Sequence, residues 1–285
     1  MEQRKPLVIY HKDCADGVAA AWCFWKEYKD KYEYHAGVYS ESVPDILDRD
    51  VYLVDFSYKR DVMDLLCQYA ANVVLLDHHV SALDDLWDLS SKYPNFDMTH
   101  STDKNSGCII SWNYIKSVEQ HKRGMPILLQ YIQDRDMWKF ELPHTREVTT
   151  ALFSHDMTFE SYDKLMKLNK VGIKKLIAEG QILNKKFFKD LDNIIKTATR
   201  RVEIGGYNVP LVNCNYLYAS EAGNILAVNE PFCATYYDTD KHRVFSLRSA
   251  VTGLDVSEIA KQFNGGGHKH ASGFKVDRNH PLAII

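Results

Sequence analysis

The sequence predicts an α/β protein of two domains, and three observations carry that prediction. The chain has 285 residues, close to twice the roughly 150 of a typical domain. Its first half sets short continuous apolar runs at 7–10, 51–54 and 73–76 between stretches whose apolar residues recur at helical spacing. Its last third returns to strand-like runs after a Lys-rich amphipathic stretch that has none. Continuous apolar runs suit strands buried on both faces, so the first sheet is expected to be mainly parallel and covered by helices.

Taken in order, Leu7, Val8, Ile9 and Tyr10 form the first strand, and 15–27, with Ala and Trp at helical spacing, forms the helix after it. The runs at 51–54 and 73–76 repeat this unit. Each of the three strands ends in polar residues: His11 to Asp16, then Asp55, then Asp77, His78 and His79. Ligands of open α/β sheets bind at that edge. Residues 1–146 are read as the first domain, 147–201 as a helical linker, and 202–285 as a smaller α/β domain, with a cleft between the two domains. In the smaller domain a turn at Gly205 and Gly206 precedes strands at 209–212, 233–237 and 244–247, and a short helix at 256–263 ends in glycines.

Hydrophobic residues at 45% and charged residues at 26% exclude a disordered tail or a fibrous repeat. Thirty-five Lys and Arg against 38 Asp and Glu leave a net charge of −3, so no overall positive field exists to hold long-duplex nucleic acid. A polyanionic partner must be held by a local site. No apolar run reaches the ~18 residues of a membrane helix, and Met1 to Pro6 lacks the apolar stretch of a secretory signal. A cytoplasmic address with no membrane partner is therefore expected. The six cysteines show no CxxC pair and read as reduced thiols.

Chemistry concentrates at the three strand ends. His11, Asp13 and Asp16 place an imidazole and two carboxylates within six residues. Carboxylates suit hard divalent ions, and an added imidazole shifts preference towards Mn²⁺ over Mg²⁺. A blander explanation is that Asp13 and Asp16 cap the next helix. It weakens once Asp55, Asp77, His78 and His79 meet the same sheet edge, because imidazoles and carboxylates buried without partners are costly. Asp134, Arg135 and Asp136 follow a helix at 126–133; alone they read as an exposed helix end. Downstream, Gly265, Gly266, Gly267 and His268 either make a flexible turn or let backbone amides approach an anion. Trp22, Trp25 and Trp112 read as core, and Trp138 either as core or as a base-stacking ring.

Together, His11, Asp13, Cys14, Asp16 and Gly17, then Asp55, then Asp77, His78 and His79, then Asp134, and finally Gly265, Gly266, Gly267 and His268 resemble the DHH phosphoesterase superfamily, and within it the NrnB-type oligoribonucleases and RecJ-like phosphodiesterases. The resemblance spans nearly the whole chain. It implies a DHH catalytic domain, a DHH-associated substrate-binding domain, and two divalent metal ions, Mn²⁺ by preference with Mg²⁺ as the alternative. Carried over residue by residue, His11, Asp13, Asp16, Asp55, His78 and Asp134 fall on the metal-ligand motifs, with Asp55 as the bridging carboxylate and Asp136 as the alternative to Asp134 in the fourth motif. His79 falls where a side chain faces the substrate phosphate, and Asp77 where one orients a ligand histidine. Arg248, Ser249, Gly265, Gly266, Gly267 and His268 fall on the substrate-end site, where Arg248 can pair a phosphate bidentately. One extra residue between Asp13 and Asp16 departs from the family's commoner spacing.

The activity so implied is metal-dependent phosphodiester hydrolysis, of exonuclease type, that takes short oligoribonucleotides to nucleoside monophosphates by a two-metal route. Two alternatives stay within the superfamily: a cyclic or signalling dinucleotide as substrate, or a 3′-phosphorylated nucleotide. A noncatalytic nucleotide sensor is the alternative from another class. The expected partner is a short oligonucleotide or dinucleotide, and a homodimer is left open.

Overall fold

The computed structural model describes residues 4–38, 41–120 and 122–284, so the first three residues of the N-terminal stretch read above lie outside the described residues. It is a mixed α/β protein with two sheets, in two compact units, 1–184 and 185–285.

In the first unit β1 (Leu7–His11) leads through α1 (Ala15–Tyr28) to β2 (Glu33–Gly37), and β3 (Asp50–Val54) through α2 (Arg60–Tyr69) to β4 (Asn72–Leu76). Then come α3 (Val80–Leu86), α4 (Leu89–Lys92), the two-residue β5 (Phe96–Asp97), α5 (Gly107–Val118), α6 (Ile127–Asp136), α7 (Thr145–Phe153), α8 (Phe159–Leu165) and α9 (Lys170–Ala198), whose C-terminal half belongs to the second unit. All strand pairs are parallel, in the order β2-β1-β3-β4-β5. The chain reverses its direction of travel across the sheet between β1 and β3, and such switch points open a crevice at the strand carboxyl ends.

Alternation along the strands explains the two-sided burial. Leu7, Ile9, Val51, Leu53, Val73 and Leu75 pack on one face with Met63 and Leu66 of α2. Val8, Val54 and Leu76 point to the other face, against Ala19, Ala20 and Trp22 of α1 and Ile109, Ile110 and Trp112 of α5. The small alanines bring α1 close to its neighbours, and the Trp22 and Trp112 rings stack nearly parallel at 6.4 Å. Sequence periodicity does not reveal β2, an edge strand (Glu33, Tyr34, His35, Ala36, Gly37) whose residues are only partly buried.

The stretch 147–201 does not stand apart as a linker. Val148, Ala151, Leu152, Tyr162, Leu165, Ile173 and Leu176 are buried in the same core as α1 and α5, so the first unit runs on to Asn184. The second unit holds β6 (Thr199–Ile204), β7 (Tyr207–Asn213), α10 (Tyr216–Leu226), β8 (Cys233–Asp238), β9 (His242–Arg248), α11 (Val256–Lys261), β10 (Gly266–His268), β11 (Ala271–Asp277) and α12 (Pro281–Ile284). Its sheet, in the order β10-β11-β9-β8-β7-β6, is antiparallel except where α10 crosses between β7 and β8. Among the described residues no helix is long and apolar enough to cross a membrane.

Candidate metal centre

The candidate site is built at the carboxyl ends of β1, β3 and β4, beside the switch point. His11 is the last residue of β1, Asp55 follows β3, and Asp77, His78 and His79 follow β4. Two triads of possible ligands form there: His11 with Asp55 and His79, and Asp16 with His78 and Asp136. Within each triad the ligand atoms lie within 4.8 Å of one another.

Asp55 touches both triads. Its Oδ1 is 3.1 Å from Nε2 of His78, its Oδ2 is 3.6 Å from Nδ1 of His11, and the Cys14 thiol donates to Oδ2 at 3.3 Å. The residue is 1% exposed and sits at φ 52°, a left-handed conformation that Asp tolerates better than most residues. Burial opposes its ionisation, but hydrogen bonds from His11 and His78 prevail and hold the carboxyl far below the usual range. The reciprocal effect pushes His78 up to about 10: burial disfavours the cation, and Asp55 and Asp136 outweigh it.

Asp16 is held differently. Its Oδ1 accepts from Ser106 Oγ at 2.7 Å and from the Cys108 backbone N–H at 3.1 Å, at the start of α5. Its Oδ2 is buried with no hydrogen-bond partner and stands 3.9 Å from His78 Nε2. Burial, then the charges of Asp55 and Asp136, push this carboxyl well up. Close approach of α5 depends on Gly107, where a Cβ would lie 2.5 Å from Asp55 Cβ and 2.9 Å from Asp16 Oδ2.

Asp77 is fully buried. Its Oδ1 accepts the His78 backbone N–H at 2.8 Å and lies 2.7 Å from His79 Nδ1, which fixes the plane of that ring. His79, expected to face a substrate phosphate, thus joins the first triad with its orientation set by Asp77. Burial lowers its basicity, but the Asp77 carboxylate prevails and pushes it up to about 9.

Two expected ligands lie elsewhere. Asp134 is not beside His78; its carboxylate accepts the backbone N–H groups of Glu141 at 2.9 Å and Leu142 at 3.0 Å and the Thr145 hydroxyl. Its carbonyl accepts the N–H of Lys139 at 2.9 Å and of Phe140 at 3.3 Å. Asp134 therefore ties down the loop after α6, and Asp136, half a helical turn on, brings its Oδ2 to 3.4 Å from His78 Nε2. Asp13 is exposed, at φ 54°, and belongs to neither triad. Ser106, Gly107 and Cys108 escape the sequence reading, as does the contact of the Cys14 thiol with Asp55. The signal for the first three is a Ser-Gly pair at a helix start after a polar turn, which specifies a cap but not what the cap touches.

These donors suit a metal. Three imidazoles and three carboxylates offer the mixed N and O set of a divalent transition ion. Concentrating Asp16, Asp55 and Asp136, with a buried carboxylate oxygen of Asp16 unsatisfied, is costly without a cation. The buried acidic and histidine groups thus fit divalent metal binding.

In the second unit Arg248 Nη2 donates to Ser220 Oγ at 2.9 Å and Nη1 to the Leu247 carbonyl at 2.8 Å. Ser249 Oγ donates to the Leu254 carbonyl at 2.7 Å and lies 2.9 Å from His270 Nδ1. The glycine run is not a free turn. Gly266, Gly267 and His268 pair with β11 as an edge strand, and Cβ atoms at Gly265 and Gly267 would come within 2.2 Å of the Gly273 carbonyl oxygen and 2.7 Å of Ser272 Cα. Strand packing by itself therefore calls for glycine there.

No protein-family profile matches the chain. It is 29% identical over 294 residues to the uncharacterized protein R106 of Acanthamoeba polyphaga mimivirus, covering 94% of this chain and 66% of that protein's length. Among solved structures, an exopolyphosphatase-related protein from Bacteroides fragilis superposes with a TM-score of 0.48 at 14% identity, covering 99% of this chain and 89% of the other. A pGpG-specific phosphodiesterase, PggH, from Vibrio cholerae superposes at 0.41 with 13% identity, covering 97% and 94%.

Proposed function

We propose that the chain is a metal-dependent phosphodiesterase that hydrolyses short oligoribonucleotides to nucleoside monophosphates. The observation that supports this reading most directly is Asp55, whose two oxygens face His78 on one side and His11 on the other, so that a carboxylate of one ligand triad also touches a histidine of the other. That is the donor arrangement expected for a dinuclear site, with His11, Asp55 and His79 holding one ion and Asp16, His78 and Asp136 the other. When bound, such a pair supplies Lewis acidity that acidifies a water and neutralises phosphoryl charge.

The protein's own groups then have defined tasks. Hydrogen bonds from His11 and His78 favour the charged form of the Asp55 carboxyl. The Asp77–His79 bond keeps one imidazole in a single orientation, and the Ser106 and Cys108 donors do the same for Asp16. Arg248, with its guanidinium pinned by Ser220 and Leu247, together with Ser249, Gly265, Gly266, Gly267 and His268, is assigned to the far end of the substrate. A net charge of −3 agrees with a nucleotide trimmer better than with an enzyme tracking long strands.

The test is product analysis with Mn²⁺ and a 5′-labelled RNA ladder from two to about twenty-four nucleotides, beside a cyclic dinucleotide and a 3′-phosphorylated nucleotide, with Asp55→Ala as control. Conversion of the shortest strands to mononucleotides, lost in Asp55→Ala, is the expected result. Full Mn²⁺-dependent hydrolysis by Asp55→Ala would overturn the assignment of the site.

A further inference from the structure

The loop that Asp134 ties down and the helices that flank it carry four side chains outside the two ligand triads. Trp138 and Phe140 meet edge to face at 4.9 Å. The Arg135 guanidinium lies over Trp138 at 4.3 Å, and that of Arg146, from α7, over Phe140 at 3.9 Å. Each guanidinium also reaches the other ring, at 5.7 and 5.5 Å. The four make one interleaved array of two planar cations and two rings.

Three facts set this array apart from ordinary packing. Leu142, from the same alternating run, packs against the hydrophobic core of the unit, whereas Trp138 and Phe140 do not, and both keep part of their surface. Trp138 and Phe140 adopt φ of 57° and 52°, a strained backbone for bulky aromatic residues that persists only where surrounding structure dictates it. What dictates it is Asp134, which accepts four backbone N–H groups from Lys139 to Leu142, while the Trp138 N–H bonds the Arg135 carbonyl at 3.1 Å. The loop is thus prefolded to present its rings, and Trp138 lies two residues after Asp136 of the second triad.

We propose that Trp138, Phe140, Arg135 and Arg146 form a nucleotide subsite: a ring surface that stacks a base, with guanidinium groups that take the attached phosphate. Aromatic stacking accepts any base because every base has a π face, and a planar guanidinium both stacks on rings and pairs phosphate oxygens in a fork. The proposal rests on the phosphodiesterase reading and sharpens it. Inorganic polyphosphate, which has no ring, gains nothing from such a surface, so the array selects nucleoside phosphates as the substrate class.

The experiment compares a 5′-phosphorylated diadenylate with its analogue lacking one base, in Trp138→Ala, Trp138→Phe and the unaltered protein. Stacking of one base predicts that the KM ratio of abasic to complete substrate falls about tenfold in Trp138→Ala and is largely restored in Trp138→Phe. A ratio unchanged by Trp138→Ala overturns the subsite and leaves the hydrolase reading intact. In parallel, AMP titrated in EDTA should quench tryptophan fluorescence in the unaltered protein and not in Trp138→Ala. Trp138-dependent quenching without any Mn²⁺-dependent hydrolysis would support the subsite while removing the phosphodiesterase reading. If Trp138→Ala fails to fold, Trp138→Leu carries both measurements.

Discussion

Nδ1 of His79 lies 2.7 Å from Oδ1 of Asp77, and the same carboxylate oxygen accepts the backbone N–H of His78 at 2.8 Å. One buried aspartate thereby holds the His79 ring and the backbone of His78, two successive residues that belong to different triads. Asp77→Asn keeps the shape but lacks the charge that holds the His79 ring. Such orienting partners are typically worth about 10- to 100-fold in metal affinity or activity, and a loss in that range is expected in Mn²⁺ calorimetry. Unaltered Mn²⁺ affinity would show that the His79 orientation does not depend on Asp77.

Asp134 and Asp136, two residues apart, should fail in opposite ways. Asp134→Ala strips the acceptor from two part-buried backbone N–H groups and from the buried Thr145 hydroxyl, and is expected to cost about 3 kcal/mol in urea unfolding. Asp136→Ala removes a carboxylate 3.4 Å from His78, and is expected to keep the stability of the apoprotein while losing Mn²⁺ binding. The reverse pattern would reinstate Asp134 as the ligand.

Metal loading should raise stability. Crowded Asp16, Asp55 and Asp136 repel one another without a cation, and an ion that binds only the folded state at about a hundred times its dissociation constant adds about 2.7 kcal/mol. For a protein of this size that corresponds to a rise of several degrees in Tm. A Tm that does not respond to Mn²⁺ after EDTA treatment would contradict the two-triad site. In Gly107→Ala the added methyl falls against Asp55 and Asp16, so this rise should shrink as α5 backs away.

A pH dependence is expected at Asp163, which joins α8 to α1. Burial works against its charge, but Lys167 and Lys26, both at 2.7 Å, prevail and hold the carboxyl down to about 2. A carboxyl depressed in the folded state stabilises above its unfolded pKa of about 3.9, and that contribution fades as pH falls towards about 2. Asp163→Asn should therefore cost about 1 kcal/mol at pH 7, after allowance for the exposure of Lys167, and the difference should close as unfolding is repeated at successively lower pH. A cost independent of pH would assign the residue a purely packing role.

The layered α/β architecture was legible in the residues, because three continuous apolar runs followed by polar residues leave little choice but strands buried on both faces and ending at one sheet edge. The positions of His11, Asp55, His78 and His79 at that edge follow from the same pattern. The edge strand β2 was not legible, since partly exposed strands lack a continuous apolar signal. Nor was the extent of the first unit: helical periodicity shows that 147–184 is amphipathic but not which core its apolar face joins.

The choice between Asp134 and Asp136 belonged to tertiary structure alone. Two carboxylates in one helical turn look alike in sequence; only the fold decides which faces His78 and which meets the N–H groups of the returning loop. The same holds for Ser106, Gly107 and Cys108, which reach Asp16 from some ninety residues away, and for the glycines of β10, where strand pairing rather than an anion suffices to require them. Sequence determines which chemistry a segment can offer through residue type and local period. Which atoms meet is decided by packing between segments distant in the chain, and local patterns carry no record of it.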